Sequence, residues 1–224
     1  MKHSQLIDKA EGSWVTTSTG HKLLAFKPTK AEYIINMPRL ATIIYPKDLG
    51  TIIIHADVYP GARIVEAGSG SGAITIMLSD LVGPHGHIYS YDVRKDMSLR
   101  ASENLIGYSP NIKNVTWKID DITQNIDEHD IDRIILDMPE PWDVLQRAVT
   151  SLRPGGILLS FLPTIIQVTD LVNALKQEDH FKSISTVETL ERPWKVSGRS
   201  VRPSHRMVGH TGFITTARKC LPNT

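Results

Sequence analysis

A glycine-rich turn between two apolar segments constrains the fold of this chain more than any other feature. From Val65 to Ala73 the sequence reads Val-Glu-Ala-Gly-Ser-Gly-Ser-Gly-Ala. Residues 62–65 are apolar enough for a buried strand, and residues 73–78 have the apolar content of a packed helix. Glycine lets the backbone turn sharply and approach a ligand, while the amide groups at the helix start stay free to bind it. The sequence therefore predicts a nucleotide-binding strand, turn and helix.

The spacing of this turn fits two classes of nucleoside ligand. Gly68, Gly70 and Ala73 satisfy the dinucleotide pattern Gly-x-Gly-x-x-Gly/Ala. Glu66 with the three glycines satisfies the acid-x-Gly-x-Gly-x-Gly pattern of S-adenosylmethionine (SAM) enzymes. Asp92 ends the next apolar run, where both classes place a carboxylate that binds ribose. The turn alone predicts a nucleoside ligand and leaves the reaction open.

Around the turn, strand and helix patterns alternate regularly. Strands are predicted at 62–67, 87–92, 114–119, 131–137 and 156–162, and helices at 71–82, 94–107, 141–152 and 164–178. This alternation predicts an α/β fold with a parallel sheet covered on both faces. Two final apolar runs, 184–190 and 211–217, predict an antiparallel hairpin at the sheet edge, joined by an unstructured basic connection. A terminal hairpin favours a Rossmann-like class I methyltransferase over a nicotinamide-binding domain.

The N-terminal residues predict a small β-rich appendage. Residues 13–17 and 22–26 flank a Ser-Thr-Gly-His turn and predict a short β-hairpin. Asp48 is predicted to cap a helix from Leu49 to Ala56. We therefore expect two parts, a β-rich segment with its linker at 1–40 and a methyltransferase domain at 41–224.

Acidic residues follow the predicted parallel strands, and ligands of such sheets lie at the carboxyl ends of the strands. In a SAM site, Asp92 would accept hydrogen bonds from the two ribose hydroxyls, and Asp121 or Asp120 would contact the adenine amino group. The glycine turn would hold the methionine end. The predicted cofactor-binding residues are Glu66, Gly68, Ser69, Gly70, Ser71, Gly72, Asp92, Asp120, Asp121 and Asp137.

Asp137 ends the fourth strand, where amino-group methyltransferases of DNA and RNA carry Asn/Asp-Pro-Pro-Tyr/Phe. Residues 137–142 read Asp-Met-Pro-Glu-Pro-Trp in this chain. A carboxylate at the end of a buried strand needs a ligand to offset its desolvation, so Asp137 is the predicted catalytic residue. Trp142 either stacks on a base or packs under the loop.

Charge is distributed unevenly along the 224 residues. Residues 192–224 contain seven Lys and Arg and no Asp or Glu, so this tail carries +7 and the rest of the chain −6, which together give the net charge of +1. Apolar residues between the basic ones favour an ordered basic surface over a disordered tail. A polyanion such as RNA is the natural partner of such a segment. Its candidate contacts are Arg199, Arg202, His205, Arg206 and His210.

The sequence also indicates in which cellular compartment to expect the protein. No apolar run approaches the ~20 residues of a membrane span, and the first residues lack a signal-peptide pattern. The single cysteine, Cys220, cannot form an internal disulfide and agrees with a reducing environment. We therefore expect a cytoplasmic protein with no membrane contact, and we predict no metal site.

Four motifs in order give a specific resemblance. They are Tyr-Pro-Lys-Asp at 45–48, Glu-Ala-Gly-Ser-Gly-Ser-Gly at 66–72, Leu-Asp-Met-Pro-Glu-Pro-Trp at 136–142 and Val-Gly-His-Thr-Gly-Phe at 208–213. Together they resemble the tRNA (adenine-58-N1)-methyltransferase family, of which this chain looks like an N-terminally short member. The resemblance implies SAM as cofactor, S-adenosylhomocysteine (SAH) as product, N1 of a T-loop adenosine in tRNA as acceptor, and a homotetramer.

Three other readings remain open at this point. A methyltransferase with a small-molecule or protein substrate explains the fold but leaves the basic tail unused. A nicotinamide oxidoreductase explains the glycines but not the terminal hairpin. A non-catalytic partner subunit explains the short N-terminal region, but it predicts an eroded turn, whereas Glu66–Gly72 and Asp137 are intact.

Overall fold

A computed structural model describes residues 6–221, and the described chain divides into two compact units between Asn36 and Met37. The first unit contains strands β1 (Ser13–Thr16) and β2 (Lys22–Ala25), which pair antiparallel and confirm the predicted hairpin. Its helix α1 (Lys30–Asn36) was not predicted. The domain boundary predicted after residue 40 stays a prediction.

Helix α1 begins with a capping box. The backbone N–H of Thr29 donates to Glu32 Oε2 at 2.8 Å, and the backbone N–H of Glu32 donates to Thr29 Oγ1 at 3.2 Å. These bonds satisfy amide groups that the first turn of a helix leaves without a partner. The Thr-x-x-Glu spacing was therefore a sequence signal for this helix.

The second unit is built on a mostly parallel sheet. Among the described residues it has seven strands, in the order β5-β4-β3-β6-β7-β11-β8. The strands are β3 (Arg63–Ala67), β4 (His87–Tyr91), β5 (Val115–Lys118), β6 (Ile131–Leu136), β7 (Leu152–Leu162), β8 (Phe181–Glu188) and β11 (Phe213–Lys219). Strands β3 to β7 pair in parallel, and β11 runs antiparallel to both β7 and β8. The α/β fold with its terminal antiparallel hairpin is confirmed.

Helices cover the sheet between successive strands. They are α2 (Pro46–His55), α3 (Ala73–Val82), α4 (Lys95–Tyr108), a 3₁₀ turn (Pro141–Val144), α5 (Leu145–Ser151) and α6 (Ile165–Gln177). Every residue of β6 is buried, as expected for a central strand covered on both faces. In place of the single helix predicted at 141–152, the structure has a 3₁₀ turn followed by the shorter helix α5. No helix within residues 6–221 is long and apolar enough to cross a membrane.

Two local predictions are wrong. Asp48 does not cap a helix, because α2 already begins at Pro46 and the Asp48 side chain is fully buried inside the first turn. The connection 191–210 is not unstructured, because it contains strands β9 (Trp194–Ser197) and β10 (Ser200–Pro203). Gly198, with φ +53°, starts the two-residue turn between them. We call residues 190–210 the arm.

Candidate active site

A first cavity of about 340 Å³ opens at the carboxyl ends of β3, β4 and β6. It brings together Gly68 with four of the five acidic residues predicted at the strand ends, and the fifth, Glu66, is not in its wall. Its wall consists of Ala67, Gly68, Tyr91, Asp92, Val93, Arg94, Asp120, Asp121, Ile122, Asp137, Met138 and Pro139. Sequence reasoning missed the apolar part of this wall, although Val93 and Ile122 directly follow predicted acids. The cavity therefore combines carboxylates with apolar surface, which suits a nucleoside.

Two glycines of the turn lie very close to neighbouring parts of the chain. A Cβ at Gly68 would lie 3.2 Å from Asp92 Oδ2. Gly72 precedes α3 with φ +87°, and a Cβ there would lie 3.1 Å from the backbone of Ala101. Side chains at these two positions would push the turn away from β4 and α4. Glycine is therefore required by packing as well as by any ligand.

Asp92 is held by two backbone amides. Its Oδ2 accepts from the Gly70 N–H at 3.1 Å, and its Oδ1 accepts from the Arg94 N–H at 2.9 Å. Each carboxylate oxygen keeps a lone pair for a further donor. A diol such as ribose fits this arrangement, because its two hydroxyls can donate to the two oxygens.

Asp121 lies in the loop after β5 and is part of the cavity wall. Its Oδ1 accepts from the backbone N–H and the hydroxyl of Thr123, at 2.9 and 2.7 Å. These bonds lower the pKa of Asp121 below its ordinary value and keep it ionised. Asp120 Oδ1 accepts from the Asp121 N–H at 2.8 Å. The loop thus offers acceptors for an amino group beside the apolar Ile122.

Three of the predicted cofactor residues, Glu66, Ser69 and Ser71, are buried and lie outside the wall of the first cavity. Glu66 is 1% exposed and accepts from the Thr75 hydroxyl at 2.8 Å, and burial raises the pKa of its carboxyl to about 8. Ser69 Oγ lies 2.7 Å from Ser90 Oγ, and Ser71 Oγ accepts from the Leu40 N–H at 3.3 Å. These contacts support the turn from behind, and a ligand contact by any of the three stays a prediction.

Asp137 is joined to the turn through its backbone. Its N–H donates to Ala67 O at 2.5 Å, and its own carbonyl accepts from the Gly68 N–H at 3.2 Å. Burial raises the pKa of its carboxyl to about 6. The side chain is therefore mostly ionised at neutral pH, although it lies in a poorly solvated place.

A second cavity, also of about 340 Å³, has Asp137 in its wall as well. The wall consists of Thr42, Ile43, Ile44, Tyr45, Asp137, Phe161, Pro163, Val208, His210 and Thr211. These residues come from four separate parts of the chain, and only Asp137 and His210 were predicted. The two cavities thus share one lining residue, Asp137.

His210 has both ring nitrogens occupied by acceptors. Nδ1 lies 2.6 Å from Glu188 Oε1, and Nε2 lies 2.7 Å from the carbonyl oxygen of Pro163. The protonated imidazolium form satisfies both acceptors, because each ring N–H then donates. The carbonyl of Pro163 and then the carboxylate of Glu188 raise the pKa of His210. In that form the ring has no free lone pair.

The other predicted RNA contacts lie elsewhere in the second unit. Trp142 lies in the 3₁₀ turn after β6 and packs, partly buried, against the core. Arg199 and Arg202 belong to the β9–β10 hairpin of the arm, and His205 and Arg206 follow it. Arg199, His205 and Arg206 are exposed and Arg202 is partly buried. They form a basic surface on the arm rather than part of either cavity wall.

Known proteins similar to this chain are tRNA methyltransferases and related structures. A family model described as "tRNA methyltransferase complex GCD14 subunit" matches residues 23–206. The chain is 38% identical to the tRNA (adenine(57)-N(1)/adenine(58)-N(1))-methyltransferase TrmI of Methanocaldococcus jannaschii, over 94% of this chain and 83% of that protein. It is 34% identical to the tRNA (adenine(58)-N(1))-methyltransferase TrmI of Thermus thermophilus, over 97% of this chain and 85% of that one.

Two solved structures are similar to this chain over nearly its whole length. A Thermotoga maritima protein titled a SAM-dependent O-methyltransferase has a TM-score of 0.93 and 34% identity, with 99% of this chain and 82% of that chain covered. The tRNA (m1A58) methyltransferase TrmI of Aquifex aeolicus has a TM-score of 0.86 and 29% identity, with 99% and 86% covered. The resemblance predicted from the four motifs is confirmed, and the chain belongs to the family described as the tRNA methyltransferase complex GCD14 subunit.

Proposed function

We propose that this protein transfers a methyl group from SAM to N1 of adenosine 58 in the T-loop of tRNA and releases SAH. The observation that carries the proposal is the position of Asp137 in the walls of both cavities. Methyl transfer needs donor and acceptor atoms about 3 Å apart and in line, so their two binding sites must adjoin. The names of the TrmI relatives support N1 of adenosine as the acceptor.

The first cavity fits SAM by the chemistry of its donors and acceptors. Asp92 accepts from the ribose hydroxyls, and Asp121 or Asp120 accepts from the adenine amino group between the apolar Val93 and Ile122. The close approach of Gly68 to Asp92 leaves room for the ligand where a side chain would intrude. SAM, when bound, supplies an electrophilic methyl group on a positively charged sulfur.

The second cavity receives the target base. N1 lies on the Watson–Crick edge, so the adenosine leaves its stacked position before it can react. Asp137 then accepts a hydrogen bond from the exocyclic amino group, which orients the ring. Its negative charge also stabilises the positive charge that the adenine acquires as N1 takes the methyl group. Tyr45 and Phe161 supply flat aromatic surface in the same wall.

An oxygen acceptor is the alternative, because the T. maritima protein is titled an O-methyltransferase. A hydroxyl has to lose its proton during transfer, whereas N1 of neutral adenine already has a free lone pair. His210 cannot take that proton while both of its nitrogens donate to Glu188 and Pro163. The Asp137 carboxylate can accept that proton, so the preference for the nitrogen nucleophile rests on the names of the TrmI relatives.

The arm binds the phosphates of tRNA outside the cavities, with Arg199, Arg202, His205 and Arg206 as its contacts. His210 contributes positive charge at the second cavity, and Trp142 supports the loop after β6 by packing. We also propose, as the family resemblance implies, that the protein assembles as a homotetramer and acts in the cytoplasm. In the proposed division, residues 1–40 form the appendage and 41–224 the catalytic domain.

Nucleoside mass spectrometry tests the reaction directly. An unmodified tRNA transcript is incubated with protein and SAM, digested, and assayed for 1-methyladenosine, and a transcript with guanosine at position 58 gives the background. We expect Asp137→Ala to lower turnover by at least about 10²-fold while SAM affinity is largely kept.

Asp143→Ala is the matched control, since Asp143 is an exposed aspartate in the same loop. Unchanged turnover in Asp137→Ala would reject the role of Asp137, and no 1-methyladenosine with the wild type would reject the function.

A further inference from the structure

A buried ion pair at the start of α2 joins both ends of the arm to the wall of the second cavity. We infer that Lys47 and Asp48 are positioning residues that fix the arm and the second cavity relative to each other. The inference rests on the proposed function for its catalytic consequence and on the contacts of this cluster for everything else. Neither residue belongs to the wall of either cavity.

The three protons of the Lys47 ammonium are all used within the cluster. Lys47 Nζ donates to Asp48 Oδ1 at 2.8 Å, to the backbone carbonyl of Thr189 at 2.7 Å and to Thr211 Oγ1 at 2.6 Å. The Thr211 hydroxyl in turn donates to Asp48 Oδ2 at 2.7 Å. Every donor therefore has one acceptor, so the cluster is a closed network with a single arrangement.

Thr189 and Thr211 flank the arm on its two sides in sequence. Lys47 contacts both, and the Thr51 hydroxyl adds a contact of 2.9 Å to the Thr189 hydroxyl. The first two turns of α2 thus hold the point where the chain leaves the sheet for the arm and the point where it returns. Because Thr211 lies in the second cavity beside His210, the same contacts fix that part of the wall.

Burial of the pair makes a purely stabilising role a poor explanation. The Lys47 side chain is 9% exposed and the Asp48 side chain 0%. The desolvation of two charges offsets most of their attraction, so apolar residues of similar size stabilise a core equally well. Directional bonds to Thr189 and Thr211 provide what apolar residues do not, a fixed geometry. Tyr45 directly precedes α2 and lies in the second cavity, so the pair holds this wall too.

The double variant Lys47→Met/Asp48→Leu removes the network without leaving a single buried charge. We expect hydrogen exchange of the amides at the adjoining ends of β8 and β11, residues 186–188 and 213–215, to become at least about tenfold faster, with exchange in β3 and α3 and the affinity for SAM unchanged. Misplacement of the wall by about 1 Å is expected to lower kcat/KM for tRNA by up to about 10²-fold. Arg153→Met is the control, because it removes an ion pair with Asp132 at the opposite end of the sheet.

For the double variant, two outcomes overturn the inference. One is a folded double variant with wild-type exchange at these ends of β8 and β11, and the other is faster exchange spread evenly over the chain, as general destabilisation would give. If the double variant does not fold, Thr211→Val and Thr211→Ser replace it. Valine keeps the shape of threonine without the hydroxyl, whereas serine keeps the hydroxyl, so only Thr211→Val is expected to loosen the arm. Equal behaviour of the two variants also overturns it. Exchange and SAM affinity need no tRNA, so this result is independent of the proposed acceptor.

Discussion

Gly212 packs closely against the ring of Phe161, which lies in the wall of the second cavity. A Cβ at Gly212 would lie 2.4 Å from Phe161 Cζ and 2.8 and 2.9 Å from the two Cε atoms. Ordinary carbon–carbon contacts are ~3.5 to 4.0 Å, so the ring of Phe161 has to move by about 1 Å in Gly212→Ala. Gly212 has no positive φ, so the steric contact rather than backbone strain determines the outcome.

The second cavity is the open space beside the ring of Phe161. Phe161 is 8% exposed and lies in the wall of the second cavity, so we expect its ring to move into that cavity. Overpacking of this kind costs about 1 to 3 kcal/mol of stability. The narrower cavity is expected to lower kcat/KM for tRNA by at least about tenfold, because the base no longer reaches an aligned position. SAM affinity is expected to stay unchanged, since neither residue lies in the first cavity wall.

Steady-state methylation of tRNA and titration with SAM measure the two effects separately. Gly209→Ala is the matched control, because a Cβ there meets nothing within 4 Å and Gly209 also lacks a positive φ. Phe161→Leu in the Gly212→Ala background removes the ring edge and is expected to restore part of the activity. Wild-type kcat/KM in Gly212→Ala, or an equal loss of SAM affinity, would refute the reasoning.

Three further predictions concern charge. Replacing Arg199, Arg202 and Arg206 by glutamine is expected to weaken tRNA binding and to reduce the slope of log affinity against log salt by about 2 to 3, with SAM affinity unchanged in the same titrations. Methylation at saturating substrates is expected to fall as the pH drops through about 6, because Asp137 then takes up a proton; a flat profile from pH 5 to 7 contradicts this. Burial raises the pKa of Glu66 from 4.5 to about 8, so the folded protein keeps a proton that the unfolded chain loses between these values. The free energy of unfolding should therefore fall with rising pH in this window by up to about 1.4 kcal/mol per unit, and urea unfolding of Glu66→Gln should lack this slope.

The first cavity could be predicted from the sequence because its signals are local. A strand, a glycine turn and a helix occupy consecutive residues, and the carboxyl ends of parallel strands meet by the geometry of the sheet. Asp92, Asp121 and Asp137 therefore assemble at one place once the strands are recognised. The terminal hairpin was predicted from two separate runs, 184–190 and 211–217, which overlap strands β8 and β11.

The second cavity could not be predicted in this way, because its wall joins residues 42–45, 161–163 and 208–211. Nothing in any one of these segments indicates the other two. Asp48 illustrates the same limit: an aspartate near a helix start predicts a cap, whereas its partner Thr211 is 163 residues away. The arm hairpin differs, because a glycine between two short runs of β-forming residues was a usable local signal.

Glu66 and Asp137 show how two carboxyls with the same sequence signature acquire different roles. Each follows apolar residues near the end of a central strand, and both have a pKa raised chiefly by burial. Glu66 lies under the glycine turn against Thr75, and the charge of Asp137 raises its pKa further, so Glu66 holds a proton at neutral pH. Two adjacent buried carboxyls do not both ionise readily, and the one that lies against the cavities retains the charge. The neutral Glu66 therefore leaves Asp137 ionised at the boundary of the two cavities, which is the state that accepts a hydrogen bond from an amino group.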